Sequence, residues 1–96
     1  MILGAGPIGH AMEAQLRADG VDVRLLSIMD DPAYDMPGTK PERVDGADTE
    51  AVTRACDDAG VVYLLLNAHY IDWYEAFPPR LQAAIIGAST ASARLV

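Results

Sequence analysis

Three closely spaced glycines are the residues of this sequence with the clearest chemical use. They lie in the segment Gly4-Ala5-Gly6-Pro7-Ile8-Gly9, between the apolar residues Met1-Ile2-Leu3 and a stretch with helical periodicity. In such a strand–turn–helix unit the first glycine permits a tight turn, the second leaves room for a pyrophosphate, and the third lets the helix lie close to the strand. The unpaired amides and the positive dipole end of that helix attract phosphates. We therefore predict a dinucleotide site for NAD or NADP, formed by Gly4, Ala5, Gly6, Pro7, Ile8 and Gly9.

The end of the second predicted strand carries the information on nucleotide preference. NAD sites usually place an acid there to accept from the ribose 2′-hydroxyl, whereas NADP sites present an arginine to the 2′-phosphate. Here the strand ends in Leu26-Ser27-Ile28, and Ser27 can serve either nucleotide. Asp30 and Asp31 follow, and we interpret them as solvated loop residues rather than ribose ligands. The choice between NAD and NADP stays open at this point.

The second side of the predicted pocket follows a later apolar strand, where the sequence reads Asn67-Ala68-His69-Tyr70. Asn67 can donate and accept at once, so contact with a ribose and bracing of the strand ends are equally good interpretations. We interpret His69 as a loop residue, because no partner for proton transfer is visible in the sequence. His10, in the first turn of the predicted helix, is expected to face solvent.

Four aromatic residues cluster before Pro78-Pro79. Such rings can cover a cofactor or line a substrate pocket, and they can equally form a hydrophobic plug over the end of the sheet or an interface, for instance in a homodimer. The sequence favours none of these. Asp48 is expected to be a helix N-cap rather than an adenine ligand. The aromatic cluster consists of Tyr70, Trp73, Tyr74 and Phe77.

The elements that must position these residues alternate between strands and helices. The predicted order is a strand ending at Leu3, a helix over 7–19, a strand over 21–28, a brief strand over 42–45, a helix from Asp48 or Thr49 to Gly60, a strand over 61–66, a helix beginning at Pro78-Pro79 and a strand beginning at Ala93. This order predicts an α/β fold, a partial Rossmann fold with a parallel sheet in the order 3-2-1-4-5 and helices on both faces.

The spacing of apolar residues predicts which side of each helix faces the sheet. The first helix would bury Ile8, Ala11, Met12 and Leu16. The second would bury Val52, Ala55, Cys56 and Ala59. The third would bury Leu81, Ala84, Ile85, Ala88 and Ser92.

Composition narrows the classes of function. The 96 residues suit one small domain, and seven Lys and Arg stand against fourteen Asp and Glu, so the net charge of −7 argues against nucleic-acid binding. The one cysteine, Cys56, cannot form an internal disulfide, and no Cys/His spacing suggests a metal. No apolar run is long enough for a membrane span. We therefore expect a cytoplasmic protein with a small-molecule ligand.

Three segments resemble the NAD-dependent epimerase/dehydratase family, the extended and atypical short-chain dehydrogenases. They are Ile2 to Gly9, Val61 to Tyr70, and Asp72 to Pro79. The resemblance implies that the glycines hold the pyrophosphate, that Ser27 lies beside the adenosine ribose, and that Asn67 and Ala68 border the ribose on the nicotinamide side.

The family's catalytic pair, Tyr-x-x-x-Lys, does not occur in this sequence. We therefore interpret residues 1–96 as the nucleotide-binding domain of an epimerase/dehydratase or reductase, cut at its carboxyl end and by a few residues at its amino end. A substrate would then bind only to a longer chain. A non-catalytic domain that senses NAD(P), and the nucleotide domain of a medium-chain alcohol dehydrogenase, are the alternatives.

Overall fold

In the residues that the structure describes, a five-stranded sheet is flanked by three α-helices. The computed structural model describes residues 1–28, 37–38, 40–66 and 70–96. The elements in chain order are β1 (Ile2–Leu3), α1 (Pro7–Ala18), β2 (Leu25–Ser27), β3 (Glu42–Arg43), α2 (Thr49–Ala55), β4 (Val61–Leu64), a 3₁₀ turn (Tyr70–Asp72), α3 (Trp73–Thr90) and β5 (Arg94–Leu95).

All strand pairs are parallel and their order is β3-β2-β1-β4-β5. Ile2 pairs with Leu25 on one side and with Tyr63 on the other, so β1 lies at the centre of the sheet. The predicted α/β fold with the 3-2-1-4-5 order is therefore confirmed. The strands are shorter than predicted, because β2 begins at Leu25 rather than at residue 21 and β3 ends at Arg43.

The core is divided by the sheet into two apolar clusters. On one face, Ile2 and Leu25 pack with Met12 and Leu16 of α1. On the other face, Leu3 and other buried residues of the sheet pack with α2 and α3. The alternation of side chains along each strand sends neighbouring residues to opposite clusters. Helices thus lie on both faces, as predicted.

The inward face of α1 differs from the predicted stripe. Ile8 is 68% exposed and Ala11 is also exposed, whereas Gly9 and Glu13 are buried. The reason is that Gly9 has no side chain, so the helix approaches β1 most closely at that residue. A prediction from the spacing of apolar residues does not include such a contact, because glycine has no apolar side chain. The buried Glu13 carboxylate lies 3.8 Å from Arg17 Nε.

A glycine ends α1 as predicted. Gly20 has φ +80°, its N–H donates to Arg17 O at 3.0 Å, and Val21 N–H donates to Leu16 O at 2.9 Å. This pair of bonds is a Schellman motif, in which a left-handed residue satisfies the last helical carbonyls. The motif also explains why β2 starts late, because residues 19–21 complete the helix end.

The second helix ends earlier than predicted, at Ala55 rather than near Gly60. Cys56 is its C-cap, and Asp58 takes a left-handed φ of 61°, which stops the helix. Three of its four predicted inward residues, Val52, Ala55 and Cys56, are buried. Ala59 lies beyond the helix, partly buried against the same cluster.

The third helix begins five residues before the predicted Pro78. It starts at Trp73, whose ring stacks on Phe77 with centroids 4.8 Å apart, and this i,i+4 contact stabilises a turn ahead of the prolines. Ala84 and Ala88 are buried as predicted, whereas Ile85 is 47% exposed and Ser92 follows the helix. Ala83 and Gly87 complete the buried face. Among the described residues, no helix combines the length and apolarity that a membrane span requires.

Candidate functional site

The glycine loop connects the carboxyl end of β1 to the start of α1, beside the point where the strand order reverses between β1 and β4. Ligands of open α/β sheets bind at such a point. Gly4 has φ +136°, and its N–H donates to Leu26 O at 3.0 Å. A Cβ on Gly4 would lie 2.9 Å from the carbonyl carbon of Leu65. Backbone conformation and contact with the neighbouring strand therefore both require glycine at this position.

Gly9 is required by a second close approach, inside the loop itself. A Cβ at Gly9 would lie 1.8 Å from Gly4 O, far inside any allowed contact distance. Gly4 and Gly9 thus touch, and together they bring the first turn of α1 directly against the end of β1.

Gly6 differs from the other two glycines. Its φ of −80° and ψ of −170° suit any residue, and a Cβ there would meet no atom within 4 Å. Gly6 is exposed and lies at the N-cap position of α1. The fold alone therefore gives no steric reason for glycine here, and the space beside Gly6 is open.

The first turn of α1 lacks the side-chain cap that α2 possesses. At α2, Asp48 accepts a hydrogen bond from Ala51 N–H at 3.1 Å, which confirms the predicted N-cap. At α1, the N-cap residue has no side chain, and no acidic residue lies in the first turn. The positive end of the α1 dipole is therefore not neutralised by its own first turn.

One predicted site residue, Ser27, lies beside the loop. Ser27 ends β2, is 5% exposed, and its carbonyl accepts from Val44 N–H at 3.1 Å. The backbone of Leu26, the preceding residue, is bonded to Gly4, so Ser27 lies next to the glycine loop. Asn67 and Ala68 lie outside the described residues, as does His69.

A residue that the sequence analysis did not consider lies beside Ser27. Arg43 is the register partner of Ser27 in the ladder between β2 and β3. The pairing joins residues on either side of a long loop, so a single sequence shows no direct signal for it. Its only visible trace is the position of Arg43 within a short predicted strand.

His10 and the aromatic cluster also lie near the carboxyl ends of the strands. His10 is half-buried rather than solvent-facing, and its Nδ1 is enclosed without a hydrogen-bond partner among the described residues. In the aromatic cluster, Tyr70 and Tyr74 are 95% and 88% exposed, whereas Trp73 and Phe77 stack on each other. The exposed tyrosines leave an open apolar surface at the start of α3.

A cavity of about 630 Å³ lies at the opposite edge of the sheet, at the amino ends of the strands. Its lining includes Leu16, Val23, Arg24 and Tyr63, and none of the glycine loop.

Within the described ranges, no group of three or more His, Cys, Asp or Glu residues is placed to hold a metal ion. The glycine loop itself has no polar side chain from Gly4 to Gly9, so the groups that it can offer to a ligand are backbone groups.

Comparisons with protein-family models, with curated proteins and with solved structures found no match to the chain.

Proposed function

We propose that this chain binds NAD or NADP, with the pyrophosphate at the loop from Gly4 to Gly9. The observation that carries the proposal is the contrast among the three glycines. Two are required by the fold, while Gly6 has ordinary backbone angles and faces open space. A ligand that approaches the backbone at Gly6 accounts for the absence of a side chain there.

The uncapped start of α1 supports the same proposal. Asn, Asp and Ser stabilise helix starts better than glycine does, and α2 uses Asp48. At α1 the amides that a cap would satisfy are left for a bound anion, and the helix dipole adds a favourable term of about 0.3–1 kcal/mol per charge. Pro7 suits the first helical position but has no amide N–H, so it leaves one donor fewer for the anion.

The chemistry beyond binding rests on the sequence resemblance alone. On that basis we propose that the chain is the nucleotide-binding part of an epimerase/dehydratase or reductase of the short-chain dehydrogenase type, in which the nicotinamide exchanges a hydride with the substrate. No residue of this chain is proposed as catalytic. Its own residues would bind and orient the cofactor.

Titration with NADPH and NADH, followed by nicotinamide fluorescence, tests the proposal. We expect saturable binding of at least one nucleotide by the wild-type chain. Gly6→Val should weaken that binding by about tenfold or more, equivalent to about 1.4 kcal/mol, because the added side chain fills the pyrophosphate position. The melting temperature of this variant should fall only by the few degrees that replacing a glycine N-cap with valine costs, since the site is sterically open.

Gly60→Val is the matched control. A Cβ added at Gly60 would also meet no atom within 4 Å, but Gly60 precedes β4 and so lies at the amino ends of the strands, away from the glycine loop. This variant should bind nucleotide like the wild type. A folded wild-type chain that binds neither nucleotide at millimolar concentration would overturn the proposal, and so would a Gly6→Val variant with unchanged affinity.

A further inference from the structure

We propose that Arg43, together with Ser27, recognises the 2′-phosphate of NADP(H), so that the site prefers NADP(H) over NAD(H). This inference rests on the proposed binding of a dinucleotide at the glycine loop. It assigns a specificity role to an arginine from β3, at a site where the end of β2 has neither an acid nor an arginine.

The ladder register places the two residues side by side. Ser27 pairs with Arg43, and neighbouring strands lie about 4.8 Å apart. Both residues are the last of their strands, so they lie at the carboxyl edge of the sheet, the edge of the glycine loop. Gly4 N–H binds Leu26 O, which connects that loop directly to the end of β2.

Two independent contacts show on which face of the sheet Ser27 and Arg43 lie. Leu25 packs with Met12 and Leu16 of α1, and Ser27, two residues later, has the same orientation. On the opposite face, Arg24 donates to Ala55 O of α2 and lies 3.8 Å from the Glu42 carboxylate. Since Glu42 belongs to the α2 face, the next residue, Arg43, belongs to the α1 face.

Arg43 and Ser27 therefore lie on the same face as α1, at the edge where its first turn begins. A dinucleotide held at that turn extends its adenosine ribose toward the end of β2. A guanidinium presents a planar set of donors that matches a phosphate, and a serine hydroxyl adds a further donor. Both are suited to the 2′-phosphate.

Charged residues on an edge strand such as β3 discourage aggregation between sheet edges, which gives Arg43 a purely structural alternative role. Nucleotide discrimination separates the two roles, because edge protection does not depend on a 2′-phosphate.

The test compares affinities of the wild-type chain and its variants for NADPH and NADH, and for 2′-phospho-ADP-ribose and ADP-ribose, which isolate the adenosine end. The wild type should bind each phosphorylated ligand about tenfold or more tightly than its partner. Arg43→Ala should lose about that factor for the phosphorylated ligands only, and Arg43→Lys should retain part of it. The preference should also shrink as salt concentration rises.

Arg94→Ala is the matched control, because Arg94 is an exposed arginine on the opposite edge strand, β5. It should leave the preference unchanged. Equal wild-type affinity for NADPH and NADH would overturn the role of Arg43 while the proposed function stands. An Arg43→Ala variant that weakens all four ligands equally would overturn it as well. Failure of all four ligands to bind the folded wild type would overturn the proposed function itself.

Discussion

Replacing Gly9 with alanine tests the close approach of α1 to the end of β1 at Gly4 and Gly9. The added Cβ would lie 1.8 Å from Gly4 O and 3.0 Å from the Gly4 carbonyl carbon. Both atoms are backbone, so no side chain can rotate to relieve the clash, and α1 must move away from β1. Overpacking of this kind costs about 3 kcal/mol at the upper end of its usual range.

Part of that cost is recovered, because alanine favours the helical conformation over glycine by about 1 kcal/mol. We therefore expect Gly9→Ala to lower the free energy of unfolding by about 2 kcal/mol. For a chain of this size, that corresponds to a fall in melting temperature of about 8–16 °C. Thermal unfolding followed by circular dichroism measures the change.

Gly6→Ala is the control for this experiment, because it makes the same substitution in the same loop. A Cβ added at Gly6 would meet no atom within 4 Å. This variant should melt within a few degrees of the wild type. A Gly9→Ala chain that melts as the wild type does would show that α1 does not contact the end of β1 at Gly4, and that the fold does not require glycine at position 9.

Two further predictions concern the helix α2. Asp48→Ala should lower the free energy of unfolding by about 1 kcal/mol in urea, because the Ala51 amide loses its acceptor, whereas Asp48→Asn should retain most of the stability; equal effects of both substitutions would argue against capping. Burial raises the pKa of the Cys56 thiol, so the native chain should resist thiol reagents that modify it once unfolded. The stability from this thiol is complete below the unfolded pKa of about 8.5 and is lost as pH rises through the folded pKa; Cys56→Ala should remove that alkaline loss, and a native thiol that reacts readily would contradict the assignment.

The sheet order was predictable because its determinants are local. A glycine turn joins the first strand to the first helix, a continuous apolar run marks the inner strand β4, and parallel connections then leave few arrangements. The N-cap of α2 was predictable for the same reason, since Asp48 acts on an amide three residues away. The roles of the glycine-loop residues, Ser27, Asn67 and Ala68 in cofactor binding stay predictions.

The errors arose where a contact between elements outweighed a local pattern. Periodicity placed Ile8 inward because it is apolar, whereas the contact of Gly9 with Gly4 rotates the helix so that Ile8 faces out. The prolines of α3 indicated a helix start, but the stack of Trp73 on Phe77 adds a turn before them. Arg43 was missed because strand register depends on the whole sheet.

The contact between Gly4 and Gly9 has a consequence for how this loop can change during evolution. Gly4 is held between Leu65 and Leu26, so no compensating substitution nearby can make room for a side chain at Gly9. Neither Gly4 nor Gly9 can therefore be substituted while the chain keeps this fold. Gly6 is under no such constraint. In a lineage that did not bind the proposed nucleotide, Gly6 would be the first of the three glycines to be substituted, and its substitution would mark the loss of binding.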